Sequence, residues 1–251
     1  MGLFDKLFGG NKTTTEDVPV EQTTTTAPVA IDMSKHKENL ETVLIDMSKG
    51  GKTDMTNHIA RVALAMDYSG SMSGMFYHGD VQEVITRLLP IALKFDDNGE
   101  LESWLFSNGK ERLKAVNASN YENYVNNVML KAKMSMGGTN YAPVLKDMVY
   151  YYKDKHPSEI PAFIIFITDG DNWDEDDTNK IVRELSEYNM FVQFVGIGSG
   201  SNFSYLRTLD NLSGRKHDNT GFIAVSDMNR MSDQQLYTEM LRQYNSWLNN
   251  K

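Results

Sequence analysis

The run Pro161-Ala162-Phe163-Ile164-Ile165-Phe166-Ile167 carries no polar residue and empties directly into Thr168-Asp169-Gly170. An extended segment with nothing polar on either face must be covered on both sides, which a parallel sheet between helical layers provides. Ile59 to Met66, short and largely apolar, also reads as a buried strand, as does Phe191 to Ile197, and Gly221 to Val225 is a shorter one. Helical spacing lies between and around them. The segment from about Asp80 to Phe95 places Val81, Val84, Ile85, Leu88 and Leu89 on one face, with Pro90 expected to distort it. Tyr121 to Lys133, Tyr141 to Lys153, a segment starting near Asp174, and Asp233 to Leu248 also read as helices. Glu100 to Phe106 and Arg112 to Val116 flank an Asn108-Gly109 pair, a hairpin signal that predicts one antiparallel edge strand. The alternation predicts an α/β fold with a doubly wound, mostly parallel central sheet, helices on both faces and right-handed crossovers.

In such sheets ligands collect at the carboxyl ends of strands. The first strand leads into Asp67-Tyr68-Ser69-Gly70-Ser71, where alternation sends Asp67, Ser69 and Ser71 to one side and Gly70 lets the backbone turn. Gly137-Gly138-Thr139-Asn140 offers another hydroxyl before a helix, and Asp169 stands at a second strand end. Singly, a loop Ser or Thr is more often an N-cap and Asp-Gly a turn. Together they form an all-oxygen set suited to a hard cation such as Mg²⁺.

At these residues the chain resembles the von Willebrand factor A (vWA) domain. The metal-ion-dependent adhesion site of that family uses Asp-x-Ser-x-Ser, a distant Thr and a distant Asp. Asp67, Ser69, Ser71, Thr139 and Asp169 match all five positions, and the resemblance runs from about Asn57 onward. The string from Asp67 to Gln82 is similar to the branch found in tellurium-resistance, TerF-like stress proteins and, more distantly, to copines. The resemblance implies the Rossmann-like vWA fold and Mg²⁺ at those five residues, with Mn²⁺ or Ca²⁺ as alternatives. It also implies a protein partner whose acidic residue completes the metal's coordination, in a tellurium-resistance or stress-response complex. A shift of Thr139 or Asp169 between direct and water-mediated ligation would couple binding to loop movement.

Four segments are expected: a short amphipathic piece at 1–10, a flexible Thr-rich linker at 11–33, a leading amphipathic helix and loop at 34–56, and the vWA domain at 57–251. In the first, Leu3, Phe4, Leu7 and Phe8 make an apolar stripe, so residues 1–9 are expected to make weak membrane or partner contact. Lys6 argues against a myristoylation signal. Ser34 reads as the N-cap of a helix from Lys35 to Met47, stopped by Gly50-Gly51. No stretch is long enough to span a membrane, Met1 to Gly10 does not resemble an export signal, and the chain has no cysteine. A cytoplasmic location is expected.

A formal net charge of −9 opposes general nucleic-acid binding. The acids from Asp169 to Asp177 are expected to serve the N-terminus of the following helix; Trp173, Asp174 and Lys180 occupy positions that disqualify an EF-hand loop. Gly196-Ile-Gly198-Ser-Gly200 lacks a full dinucleotide fingerprint, and Met72 stands where a nucleophile elbow needs Ser. The five histidines show no metal-cluster spacing. A metal-dependent binding module, not an enzyme, is therefore the expectation, with a metal-dependent hydrolase and a metal-free vWA scaffold as the alternatives. Tyr68, Met72, Met75, Phe76 and Tyr77 divide between packing under the metal loop and forming an apolar rim around it.

Overall fold

The apolar runs assemble side by side, where each can be covered on both faces. The computed structural model describes residues 33–170, 172–198, 203–227 and 230–251. Six strands form one sheet: β1 (Arg61–Asp67), β2 (Leu101–Phe106), β3 (Lys110–Arg112), β4 (Ala162–Thr168), β5 (Met190–Ile197) and β6 (Thr220–Val225). Their order is β3-β2-β1-β4-β5-β6, with every pair parallel except the edge pair β2 and β3. This is the expected doubly wound arrangement. The order reverses between β1 and β4, whose carboxyl ends therefore flank the crevice where ligands bind in such sheets.

All seven residues of β4 are buried, and their alternation feeds two cores. Phe163, Ile165 and Ile167 pack on the side of α1 (Met33–Gly50), α3 (Asp80–Phe95) and α8 (Asp233–Asn250). Ala162, Ile164 and Phe166 face α5 (Ala142–Val149), α6 (Glu175–Leu185) and α7 (Ser204–Asp210). Asp233 ties the first layer together: one carboxylate oxygen bonds the His36 ring at 2.7 Å and accepts from Asn39 at 3.1 Å, and the other accepts from Arg87 at 2.9 Å. A capping box between Ser232 and Gln235 starts α8.

Several boundaries differ from the sequence reading for local reasons. Helix α1 begins at Met33, so Ser34 lies inside it, and it continues to Gly50. A further short helix, α2 (Ser73–His78), precedes α3, which continues through Pro90. The edge strand starts at Lys110 because the Ser107 N–H closes a tight turn onto the Gly109 carbonyl at 3.0 Å; Val116 returns only as an isolated bridge to Leu101. The expected helix from Tyr121 to Lys133 is reduced to α4 (Tyr124–Asn127) and a 3₁₀ turn at Met129–Lys131. There Asn123 is left-handed at φ 56°, and the Gln82 side chain occupies the Tyr121 carbonyl and the Val125 N–H. Helix α5 passes into a π-helical turn at Tyr150–Lys155, which lays Tyr151 and Tyr152 against Trp104. Helix α7 carried no signal in the sequence reading. The segment 1–10 and the linker, apart from Met33, lie outside the described residues.

Candidate metal centre

Strand β1 ends on Asp67, and the chain then turns along the loop that approaches α2. Asp67 is fully buried. One of its oxygens accepts the Ser69 N–H at 2.8 Å and the other accepts the Thr168 hydroxyl at 2.7 Å. Burial pushes its carboxyl up to about 6, against the pull of those two donors. Thr168, at the end of β4, thus fixes Asp67 across the two strands flanking the crevice. It has no place in the Asp-x-Ser-x-Ser, Thr, Asp pattern, and spacing alone gave no signal for it.

Beyond Asp67 the site reaches solvent at Ser71, which is exposed, while Ser69 stays buried and Asp169 is half-buried. Ser69 Oγ and Ser71 Oγ are 3.0 Å apart, and Ser71 Oγ donates to Asp169 Oδ1 at 2.9 Å. Burial raises the Asp169 carboxyl above its usual range. The structure thus brings Ser69, Ser71 and Asp169 into one chain of contacts, with Asp67 anchored beneath. The Gly137 loop is drawn alongside by a bridge from Ser69 and by the Gly70 N–H, which donates to the Gly137 carbonyl at 2.9 Å. Thr139, 8% exposed, belongs to this loop, and its carbonyl accepts the Trp173 N–H at 3.0 Å.

Two side chains outside the five hold this arrangement. Asn108 Oδ1 accepts the Gly138 N–H at 2.9 Å. A Cβ at Gly137 or Gly138 would lie 2.7 Å from the Asn108 amide, so the loop's approach depends on glycine. Asp174 stands before α6 but accepts the Tyr141 and Ala142 N–H groups at 2.9 and 2.8 Å, capping α5 just past Thr139. The acids Glu175, Asp176 and Asp177 lie in the first turn of α6, as expected for its dipole. Asn108 read only as a turn residue and Asp174 only as the start of its own helix, because both act across long sequence separations.

Among the described residues no group of three or more His, Cys, Asp or Glu is placed to hold a metal. The donors brought into contact here are of another kind, the Ser69 and Ser71 hydroxyls with the Asp169 carboxylate, while Thr139 is tied in through its backbone carbonyl. An octahedral ion with bonds of about 2.0–2.1 Å spaces neighbouring oxygens about 2.9 Å apart. The contacts of 3.0 Å between Ser69 and Ser71 and 2.9 Å between Ser71 and Asp169 have that spacing. A hard divalent cation takes oxygen donors of this kind. Of the flanking residues, Tyr68, Met72 and Phe76 are buried, with Tyr68 edge-on to Phe76 at 5.0 Å, whereas Tyr77 is exposed. Gly196, which had drawn a dinucleotide comparison, lies where a Cβ would be 2.8 Å from the Phe203 ring.

A family model named vWA-TerF-like, described as the vWA found in the TerF C terminus, matches residues 59–251. The chain is 39% identical over 199 residues to the uncharacterized protein YcbR of Bacillus subtilis (strain 168), covering 78% of this chain and 81% of that one. Among solved structures it is similar to manganese-loaded TRAP protein of Plasmodium vivax, with a TM-score of 0.55 and 17% identity over 76% of this chain and 74% of that one. It is also similar to proximal thread matrix protein 1 from the mussel byssus, with a TM-score of 0.54 and 16% identity over 74% of this chain. The match spans only 46% of that byssus protein. At these identities the structural likeness concerns the fold.

Proposed function

The chain belongs to the vWA family, in its TerF-like branch, and on that premise we propose that it is a divalent-metal-dependent protein-binding module. The observation that carries this reading is the contact of Ser71 Oγ with Asp169 Oδ1, which joins the β1 and β4 strand ends at 2.9 Å. Ser69, Ser71, Thr139 and Asp169 would hold the ion, and Asp67 would serve it from beneath. Mg²⁺ is the first choice and Mn²⁺ the next, the latter supported by the manganese-loaded state of the TRAP relative; Ca²⁺ would need more oxygen ligands.

A bound divalent ion would supply positive charge and an outward coordination position that a partner carboxylate completes. The protein's own residues prepare that position. Ser69 and Ser71 contribute oxygen without charge, so neutralisation of the ion falls largely to Asp67 and Asp169. Asp67 spends both oxygens on donors inside the fold. An anionic group from outside is therefore favoured.

Binding rather than catalysis is the reading we adopt. His36 is engaged with Asp233, and His58 bonds the Tyr244 hydroxyl at 2.8 Å, so both serve packing. We place the module in the cytoplasm, in a stress-response or tellurium-resistance complex as its branch of the family suggests. Among the described residues no helix is long and apolar enough to cross a membrane.

The test is calorimetric titration of Mg²⁺ and Mn²⁺ into the full chain and into the Ser69→Ala/Ser71→Ala double variant, with circular dichroism confirming the fold of both. Saturable binding by the wild type that is lost in the folded variant supports the reading. Equal binding by the two contradicts it.

A further inference from the structure

The largest exposed apolar side chain among the described residues is Trp173, 84% accessible, and it stands beside the metal loop. Its N–H holds the Thr139 carbonyl, and its indole Nε1 lies 3.9 Å from where a Gly138 Cβ would be. Trp173 lines an open recess of about 650 Å³ with Asn172, Glu175 and Asp176.

The groups this recess leaves open all favour a cationic donor. Asn172 is only 8% exposed; its Nδ2 is spent on Asp174 at 2.6 Å and Thr178 at 3.0 Å, while its Oδ1 has no partner among the described residues. Glu175 and Asp176 are exposed and make no ion pair among the described residues. The one cation lining the recess, Lys180, is bound to Asp177 at 2.8 Å. The indole face adds a negative quadrupole. A planar cation with several N–H donors can stack on Trp173 and donate to the carboxylates together, which a compact, strongly hydrated ammonium does less well.

We infer that this recess binds an arginine side chain of the partner protein. The link to a partner rests on the metal-dependent reading above, since the same partner would present its carboxylate at the neighbouring site. The arginine contact itself needs no metal.

The full chain, labelled with ¹⁵N at its tryptophan indoles, is titrated in EDTA with agmatine and separately with putrescine, a dication of the same four-carbon spacing in which an ammonium replaces the guanidinium. The Trp173 signal is assigned by its loss in Trp173→Phe. The expected result is a saturable shift of Trp173 with agmatine, little movement of Trp104 and Trp247, and a shift at least about fivefold smaller with putrescine at equal concentration. The Glu175→Gln/Asp176→Asn variant, with unchanged Trp104 and Trp247 signals as the check on folding, should weaken the agmatine response. An unmoved Trp173, or equal responses to both amines, overturns the inference. Because EDTA removes divalent ions, these outcomes are independent of the Mn²⁺ titration: agmatine binding without metal binding sustains the recess and removes the metal reading, and the converse removes the recess alone.

Discussion

The carboxylate of Asp174 caps a helix that begins far upstream of it, accepting the Tyr141 N–H at 2.9 Å and the Ala142 N–H at 2.8 Å. It thereby ties the acidic segment before α6 to the N-terminus of α5, next to Thr139. Removing a capping carboxylate costs about 1–2 kcal/mol. Asp174→Ala should lower stability by that amount and also weaken Mg²⁺ or Mn²⁺ binding, because Thr139 loses its downstream anchor; Asp174→Asn should do less of both. Denaturant midpoints and calorimetry check the pair of effects, and a stability loss with unaltered metal affinity would show that the cap does not position Thr139.

A second prediction concerns the close approach of the Gly138 loop to Asn108. A Cβ at Gly138 would lie 2.7 Å from Asn108 Oδ1, so Gly138→Ala must displace one or the other. The variant should bind Mn²⁺ roughly tenfold more weakly, a change of about 1.4 kcal/mol. Adding Asn108→Gly relieves the clash and should recover much of the loss despite deleting a hydrogen bond. Additive losses in the double variant would refute this coupling.

The Asp233 hub makes a third. Arg87 is buried, and a carboxylate oxygen of Asp233 meets its guanidinium at 2.9 Å. Deleting one partner of a buried ion pair costs about 3–5 kcal/mol, because the other is left in a poorly solvated site. Asp233→Ala should lose stability on that scale, and Asp233→Asn should lose part of it. Thermal or urea unfolding measures both, and a loss below about 1 kcal/mol for Asp233→Ala would contradict the assignment.

His58 gives the chain a distinct acid response. Burial, and secondarily the charge of Lys251, push its imidazole down to about 4 from 6.5, while its Nε2 bonds the Tyr244 hydroxyl. The unfolded chain then binds more protons than the native one between these values. The stabilising contribution is complete above about pH 6.5 and is lost progressively as pH falls toward 4. Asp67, whose carboxyl is raised from 3.8 to about 6, acts in the opposite sense over an overlapping range. The comparison of wild type with His58→Gln in metal-free buffer therefore isolates the histidine. The variant's stability should decline less on acidification, and parallel profiles between pH 4 and 6.5 would rule the mechanism out.

The sheet was legible because Phe163 to Ile167 has no polar residue and Phe191 to Ile197 only Gln193, so neither run tolerates an exposed face. The converging part of the site was legible in the same way: strand ends place Asp67 and Asp169 at the crevice, and alternation carries Ser69 and Ser71 with them. Helix boundaries were harder wherever a distant side chain competes for the backbone, as Gln82 does at Tyr121 and Val125. The supporting residues were hidden for the same reason. Thr168, Asn108 and Asp174 act through partners 101, 30 and 32–33 residues away, and no local pattern encodes such contacts.

The central claim is that an ion held by Ser69, Ser71, Thr139 and Asp169 keeps an outward position for a carboxylate. Water-proton relaxation with Mn²⁺ tests it most directly, because a protein-bound ion with exchanging water enhances relaxation and loses enhancement when an outside ligand displaces that water. The account predicts a rise in relaxivity on adding wild-type protein to Mn²⁺, a saturable fall on adding acetate, and neither change with the folded Ser69→Ala/Ser71→Ala variant. Enhanced relaxivity in the wild type that acetate leaves untouched would contradict the open carboxylate position, and no enhancement at all would contradict the metal site itself.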